Sequence, residues 1–252
     1  MVSQFSAVEV PSVSVIVPCR DEAENMPALI DEIEMALADA QFEAIVVDDG
    51  STDGSAGVLA TLAETRPWLR HIRHTQPCGQ SATVRTGLLA AKGEIVATID
   101  GDGQNNPIYL ATLTARLVEG GGTLGIVAGQ RQRRTDSGLK RLASRMANGL
   151  RGAILKDGTA DSGCGLKALR RETFLLLPYF DGWHRYLPAL AIREGYQVAH
   201  IDVVDRERRH GASKYGIIDR AIVGILDLFG VWWLLRRRKR IPDVMETKFH
   251  DR

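Results

Sequence analysis

Short apolar runs that break off at acidic, glycine-containing turns constrain this chain more than any other feature. Val13–Val17 is a β-branched run ending at Pro18, Ala44–Val47 is stopped by Asp48-Asp49-Gly50, and Glu94–Ile99 ends at Asp100-Gly101-Asp102. Runs of this length bounded by turn residues read as buried strands. Helix-period segments separate them at Ala23–Ala40, Ser55–Thr65 and Ser81–Ala91, with one more strand near Arg70–His74. Asp21, with Glu24 three residues on, reads as a capping-box-like start of the first helix. Strands alternating with helices predict an α/β fold, a mainly parallel sheet covered on both faces. Ligands of such sheets bind beyond the carboxyl ends of the strands, which is where the acidic clusters fall.

With 252 residues, 44% of them hydrophobic, the chain can bury a sizeable core, and one α/β domain with a terminal extension fits that length. Lys and Arg number 32 against 31 Asp and Glu, a balance that excludes a generic nucleic-acid binder. Acidic residues concentrate before about position 102, while basic ones dominate Arg131–Arg151 and Arg206–Arg240. That asymmetry reads as a metal-binding half and an anion- or membrane-facing half, or else as ordinary solvated surface. Cys19, Cys78 and Cys164 are scattered without metal-ligand spacing, as for reduced thiols of a cytoplasmic protein. The first twelve residues lack a basic segment and an apolar run, so no signal peptide is expected.

Two acidic strand ends carry the chemistry. In Asp48-Asp49-Gly50-Ser51-Thr52-Asp53 a carboxylate can accept hydrogen bonds from a ribose or base, and Ser51 or Asp53 can cap the next helix; turn chemistry alone would also use these residues. In Asp100-Gly101-Asp102-Gly103-Gln104 two carboxylates one residue apart form a hard-oxygen site for Mg²⁺ or Mn²⁺. Such an ion neutralises charge developing on a nucleoside-diphosphate leaving group. An Asp-x-Asp pair alone is common; two acidic strand ends in this order are a stronger signal.

The segments VSVIVPCRDEAEN, IVVDDGSTDGS and EIVATIDGDGQNNP resemble family 2 glycosyltransferases of the GT-A fold, specifically the dolichol- or polyprenyl-phosphate mannosyltransferase type. The resemblance continues through GQRQRR, LKRLASRMAN, DSGCGLKALRRE, GWHRYLPAL and RRHGASKYG, covering roughly Val13–Trp233. It implies inverting transfer from a nucleotide-sugar to a polyprenyl phosphate, with GDP-mannose as default donor and UDP-sugars open. It further implies that Pro18, Arg20 and Glu22 line the nucleotide, that Asp48 and Asp49 face base and ribose, and that Asp100, Asp102 and Gln104 hold metal and diphosphate. Arg131, Lys140, Ser144, Arg208 and Lys214 fall where the family binds phosphate groups, with Asp102, Arg131, Arg208 and Lys214 as catalytic residues. Cys19-Arg20-Asp21 replaces the aromatic-Asn pair of many relatives, which leaves the base open.

Cations without an obvious base suit that acceptor. A sugar hydroxyl must lose a proton, whereas a lipid phosphate is already ionised and must only be brought against another anion. Asp161 is the candidate orienter of the acceptor loop, and also the candidate base if the acceptor is a sugar hydroxyl in polysaccharide or glycolipid synthesis. A nucleotide-binding module without turnover is the non-enzymatic alternative. His184 and His210 could each be a base, but His210 is kept neutral by surrounding cations, and a structural or phosphate-contacting histidine is the better reading.

Gly138–Lys156 carries an apolar stripe flanked by Lys140, Arg141, Arg145 and Arg151, the pattern of a helix on an anionic bilayer. Packing on its own domain would produce the same stripe. Ile217–Leu235 precedes Arg236-Arg237-Arg238-Lys239-Arg240, but Asp227 near its middle argues against a span, and Asp219, Arg220 and Asp227 share one helical face. An interfacial anchor is expected, on the inner face of the membrane, with further hold from a membrane-protein partner or a homo-oligomer. The expected organisation is a tail at 1–12, a catalytic domain at 13–215 (nucleotide half 13–107, acceptor half 108–215), an interfacial helix and basic run at 216–240, and a tail at 241–252.

Overall fold

A computed structural model describes residues 12–132, 149, 151–207, 217–237 and 245, with backbone only at 217–223. Lys140, Ser144, Arg208, His210 and Lys214 lie outside the described residues, as does most of the amphipathic stripe at 138–156.

The β-branched runs form the centre of one sheet. Strands β1 (Val13–Cys19), β2 (Phe42–Asp48), β3 (Leu69–Arg73), β4 (Ile95–Thr98), β5 (Leu124–Arg131), β6 (Lys167–Arg170) and β7 (Gln197–Val203) are arranged in the order β3-β2-β1-β4-β6-β5-β7. Only β6 runs antiparallel to its neighbours, β4 and β5. Thus β6 splices the expected acceptor half into the sheet of the nucleotide half. Helices α1 (Met26–Ala36), α2 (Ser55–Glu64) and α4 (Tyr109–Glu119) cover one face, around Leu29, Ile30, Ile33, Leu59, Leu110 and Leu113. The other face packs Val84 and Leu88 of α3 (Gln80–Ala90), Phe174, Trp183, Leu190 and the C-terminal helix Ile217–Arg236. Strands buried on both faces explain why β1, β2 and β4 read as continuous apolar runs.

The start of α1 differs from expectation. Asp21 adopts a left-handed φ of 54°, and the helix begins only at Met26, with Asn25 as its cap and Pro27 in the first turn. The Asp21 carboxylate instead accepts from the Thr52 N–H at 2.7 Å, and the Ser51 hydroxyl accepts from the Asp21 N–H at 2.8 Å. Asp21 therefore joins the loop after β1 to the loop after β2. Asp53 precedes the α2 cap, which is Gly54 without a side-chain cap bond, and its carboxylate accepts from Ser55 N–H at 2.9 Å.

Arg151 was expected among lipid headgroups. It is buried, pairing Nη2 with Asp157 at 2.5 Å and donating from Nη1 to the Thr159 carbonyl at 3.2 Å. An amphipathic stripe does not reveal which surface covers it, and around this residue the protein itself does. In the C-terminal helix Asp227 faces inward, its carboxylate against Gly182, and Leu228 and Val231 are buried beside it. Ile225, Leu226, Phe229 and Trp233 point outward, 54–66% exposed. Arg193 holds the helix end by donating to the Leu234 and Arg237 carbonyls at 3.1 and 2.9 Å. No helix among the described residues is long and apolar enough to cross a membrane.

Arg151→Ala would leave Asp157 buried without its cation. A loss of roughly 3–5 kcal/mol is expected, read from chemical denaturation, with binding to anionic vesicles unchanged. Wild-type stability together with weakened vesicle binding would contradict the buried assignment.

Candidate active site

The parallel register brings the carboxyl ends of β1, β2 and β4 together, and backbone hydrogen bonds stitch their loops to the tip of β1. Asp49 N–H donates to the Cys19 carbonyl at 2.9 Å and Gly101 N–H to the Pro18 carbonyl at 3.1 Å. The start of α3 lies between the two acidic tips. Gly79 N–H donates to Asp49 at 2.8 Å, and the adjacent Gln80 side chain donates to Asp100 at 2.8 Å. The structure therefore joins Asp49 and Asp100 through two consecutive residues. Gln80 was missed in the sequence because its role rests on a contact with Asp100, twenty positions away.

Asp48 and Asp49 do different work. Asp48 is fully buried, accepts from Ser51 N–H at 2.7 Å, and sits 3.4 Å from Arg73 and 3.8 Å from His71. Enclosed in this way it shapes the turn, while its second carboxylate oxygen carries no hydrogen bond among the described residues. Asp49 is also buried, at the rim, accepting from Cys78 N–H, Gly79 N–H and His74 Nδ1, each at 2.8 Å. Burial alone would raise its pKa, but these bonds outweigh burial and hold it below the usual carboxylate range. Asp49, His74 and Cys78 form a compact trio whose imidazole is already spent on Asp49 and on the Thr86 hydroxyl at 2.9 Å. Pro18 lies in β1, Arg20 is an exposed cation 4.0 Å from Asp21, and Glu22 accepts from the Asn25 side chain at 2.6 Å.

Asp100 and Asp102 form the other tip. Gly103 takes a left-handed φ of 71° that allows the loop to turn back, and Gln104 N–H donates to Asp102 at 3.1 Å. Gly165 approaches so closely that a Cβ there would lie 2.4 Å from the Asp100 carboxylate. Burial, then the charge of Asp102, pushes the Asp100 pKa up to about 6, while Lys167 and Arg131 oppose the rise. Lys167, also missed in the sequence, is buried in β6 and donates to the Cys164 carbonyl. Two half-buried carboxylates one residue apart, with oxygen donors and room made by glycine, fit a hard divalent cation such as Mg²⁺ or Mn²⁺. Gln104 is held through its backbone, its N–H donating to Asp102 and its carbonyl accepting from Arg206 N–H, and no residue among those described hydrogen-bonds its side chain.

Arg131 is at the end of β5 with three nitrogens on carboxylates. Nε and Nη2 form a two-point pair with Asp161, Nη2 at 2.9 Å, and Nη1 meets Asp205 at 3.2 Å. Burial opposes its charge, but Asp161 and Asp205 raise its pKa. A guanidinium facing two carboxylates has much of its charge offset within the protein before any acceptor phosphate arrives. Asp161, with both oxygens on Arg131, is poorly suited to take a proton from a sugar hydroxyl. His184 bonds to the Ser81 hydroxyl at 2.8 Å, and burial, then Arg185, pushes its pKa down to about 3. It is a neutral packing group rather than a base.

The Asp100 shift sets a pH sign. A carboxyl with its folded pKa raised to about 6 destabilises the metal-free fold above that pH and ceases to do so as pH falls below the unfolded value. Asp100→Asn should therefore raise the metal-free melting temperature at pH 7.5 by a few degrees, with no gain below pH about 4. It should also abolish stabilisation by Mn²⁺ with UDP. A melting temperature lowered at pH 7.5 would contradict the charge argument.

The comparisons with known proteins agree with this geometry. The family model described as Glycosyl transferase family 2 matches residues 14–176. Dodecaprenyl-phosphate galacturonate synthase of Rhizobium johnstonii is 31% identical over 239 residues, 90% of this chain and 68% of that protein. Undecaprenyl-phosphate 4-deoxy-4-formamido-L-arabinose transferase of Edwardsiella ictaluri is 32% identical over 221 residues, 86% of this chain and 66% of its own length. The chain thus spans about two thirds of the length of these curated relatives. Crystal structures of glucosyl-3-phosphoglycerate synthase from Mycobacterium tuberculosis share the fold. One superposes with a TM-score of 0.68 at 22% identity, over 92% of this chain and 82% of the other. Another, in complex with Mn²⁺ and UDP-glucose, gives 0.64 at 23% identity over 87% and 79%. With the acidic strand tips, the mainly parallel sheet and this match over most of the sheet in hand, the chain belongs to glycosyltransferase family 2 and has the GT-A fold.

Proposed function

We propose that the chain moves a sugar from a UDP-linked donor to a polyprenyl phosphate, with inversion, to give a lipid-linked glycosyl phosphate. The observation that carries this reading is the joining of Asp49 and Asp100 across Gly79 and Gln80, which sets a nucleoside rim beside a diphosphate–metal tip. The two relatives act, by their names, on dodecaprenyl and undecaprenyl phosphate. Their sugars are galacturonate and a formamido-arabinose, so the mannose default of the sequence reading gives way to an acidic or amino sugar. UDP is the nucleotide of the solved neighbours, and it replaces GDP in this reading.

Asp100 and Asp102 would hold Mg²⁺ or Mn²⁺, which when bound offsets charge on the diphosphate leaving group. The residues around it do the rest. Gly165 and Gln80 set the Asp100 carboxylate, and Asp49 orders the 78–79 backbone beneath the nucleoside. A lipid-phosphate oxygen forms the bond to the anomeric carbon as the carbon–oxygen bond to the diphosphate breaks, its electron pair leaving with UDP. An ionised phosphate needs no proton removed, which agrees with His184 and Asp161 both being unsuited as bases. Acceptor recognition then falls to Lys140, Ser144, Arg208 and Lys214.

The outward face of the C-terminal helix supports peripheral contact with the membrane that carries the acceptor. Phe229 and Trp233 are 62% and 54% exposed, and Arg236 stacks 3.8 Å from the Trp232 ring centroid. Aromatic side chains with adjoining guanidinium groups suit the headgroup level.

Incubation with undecaprenyl phosphate, a radiolabelled UDP-sugar and Mn²⁺ should yield an acid-labile lipid product, lost with undecaprenol. Asp102→Ala should reduce turnover by at least about a hundredfold with the fold intact. A stable glycoside on a sugar hydroxyl, or near-wild-type turnover by the variant, would refute the assignment. Alkylation of exposed Cys78, whose N–H donates to Asp49, should be slowed by UDP. Equal rates with and without UDP would remove the nucleoside from that rim.

A further inference from the structure

One buried cross-brace remains outside the roles assigned so far. After β7 the chain passes beside the metal loop and is tied to it repeatedly. Arg206 N–H donates to the Gln104 carbonyl at 2.8 Å. The Arg206 guanidinium reaches Asn106 at 2.6 Å and both carboxylate oxygens of Glu32 at 2.8 and 2.6 Å. Asp205 is the junction. One oxygen accepts from the Asn105 side-chain amide at 3.0 Å, and the other from Arg131 at 3.2 Å.

Asn105 is buried, and its own amide oxygen accepts from the Asp100 backbone N–H at 3.3 Å. A carboxylate only accepts and a backbone N–H only donates, so the amide between them has a single satisfied orientation. Asp205 therefore sets Asn105, and Asn105 sets the backbone that carries the Asp100 carboxylate. On its other side Asp205 meets Arg131, which grips Asp161, and Asp161 accepts from Gly163 N–H at 3.1 Å. Gly165, two residues on, is the glycine pressed against Asp100. The brace thus closes on the same carboxylate from two directions.

We propose that Asp205 is a positioning residue of the metal–diphosphate site, acting through Asn105 on one side and through Arg131 and Asp161 on the other. It locks the Asp100 loop to the segment that enters the basic stretch beginning three residues later at Arg208. This inference rests on the reading that metal and diphosphate sit at Asp100 and Asp102.

The test is UDP binding by calorimetry across a Mn²⁺ series, for the wild-type chain, Asp205→Asn, Asn105→Ala and the double variant. Supports of metal ligands commonly contribute ten- to a hundredfold to metal affinity. Asp205→Asn should therefore raise the Mn²⁺ concentration for half-maximal UDP binding by about tenfold, with the metal-free melting temperature within a few degrees of wild type. Because part of the effect of Asp205 passes through Asn105, the double variant should fall short of the product of the two single effects. Unchanged Mn²⁺ dependence in Asp205→Asn, or effects that multiply in the double variant, would overturn the inference while leaving the metal site standing. If Asp205→Asn does not fold, Asn105→Ala alone decides: a raised Mn²⁺ requirement supports the brace, and an unchanged one overturns it. Absence of Mn²⁺-dependent UDP binding in wild type would overturn the site reading and the inference with it.

Discussion

The structure turns on a like-charge pair held where it is costly to hold one. Asp100 and Asp102 stand at the end of β4, half-buried, and burial with mutual repulsion pushes Asp100 up to about 6. A fold keeps such an arrangement only if surrounding bonds over-determine it. Here Gly165 presses on the carboxylate, Gln80 donates to it, Asn105 holds its backbone, and the Gly101 N–H is pinned to β1. The parallel register supplies the remaining condition, since it ends β1, β2 and β4 at one edge. On the proposed reading a divalent cation at that edge would convert the repulsion into attraction, with a nucleoside diphosphate supplying further oxygen ligands.

Local patterning made the sheet legible, because strands buried on both faces have to be apolar throughout and their ends had to be acidic turns. The predicted strand at Ala44–Val47 and the one seen at Phe42–Asp48 differ only at their ends, where propensity is weakest. Asp21 misled because a cap and a loop bridge use the same carboxylate chemistry, and only the fold shows that Thr52 is its partner. Arg151 misled because a helix stripe has the same period whether lipid or protein covers it. The brace on Asp205 had no local signal at all: Asn105 and Arg131 lie far away in sequence, on a loop and a strand that topology alone brings together.

The electrostatic division anticipated from charge distribution survives in altered form. Arg131 was expected to face the acceptor but is neutralised by Asp161 and Asp205. Positive charge for an incoming anion must then come from residues farther along the basic stretches. A lipid phosphate suits such a site, since it asks for cations and not for a base, and the two histidine and aspartate candidates within the described residues are unfit as bases. On the proposed reading the exposed aromatic face of the C-terminal helix would lie against the phase in which that acceptor dissolves.

Electron paramagnetic resonance of Mn²⁺ tests the central claim most directly, because free and bound ion are counted without reference to turnover. One Mn²⁺ per chain should disappear from the free-ion signal when UDP is present, and Asp100→Asn should restore that signal. Mn²⁺ that stays free with the wild-type chain and UDP, or binds equally to the variant, would contradict a metal–diphosphate site at the Asp100 tip.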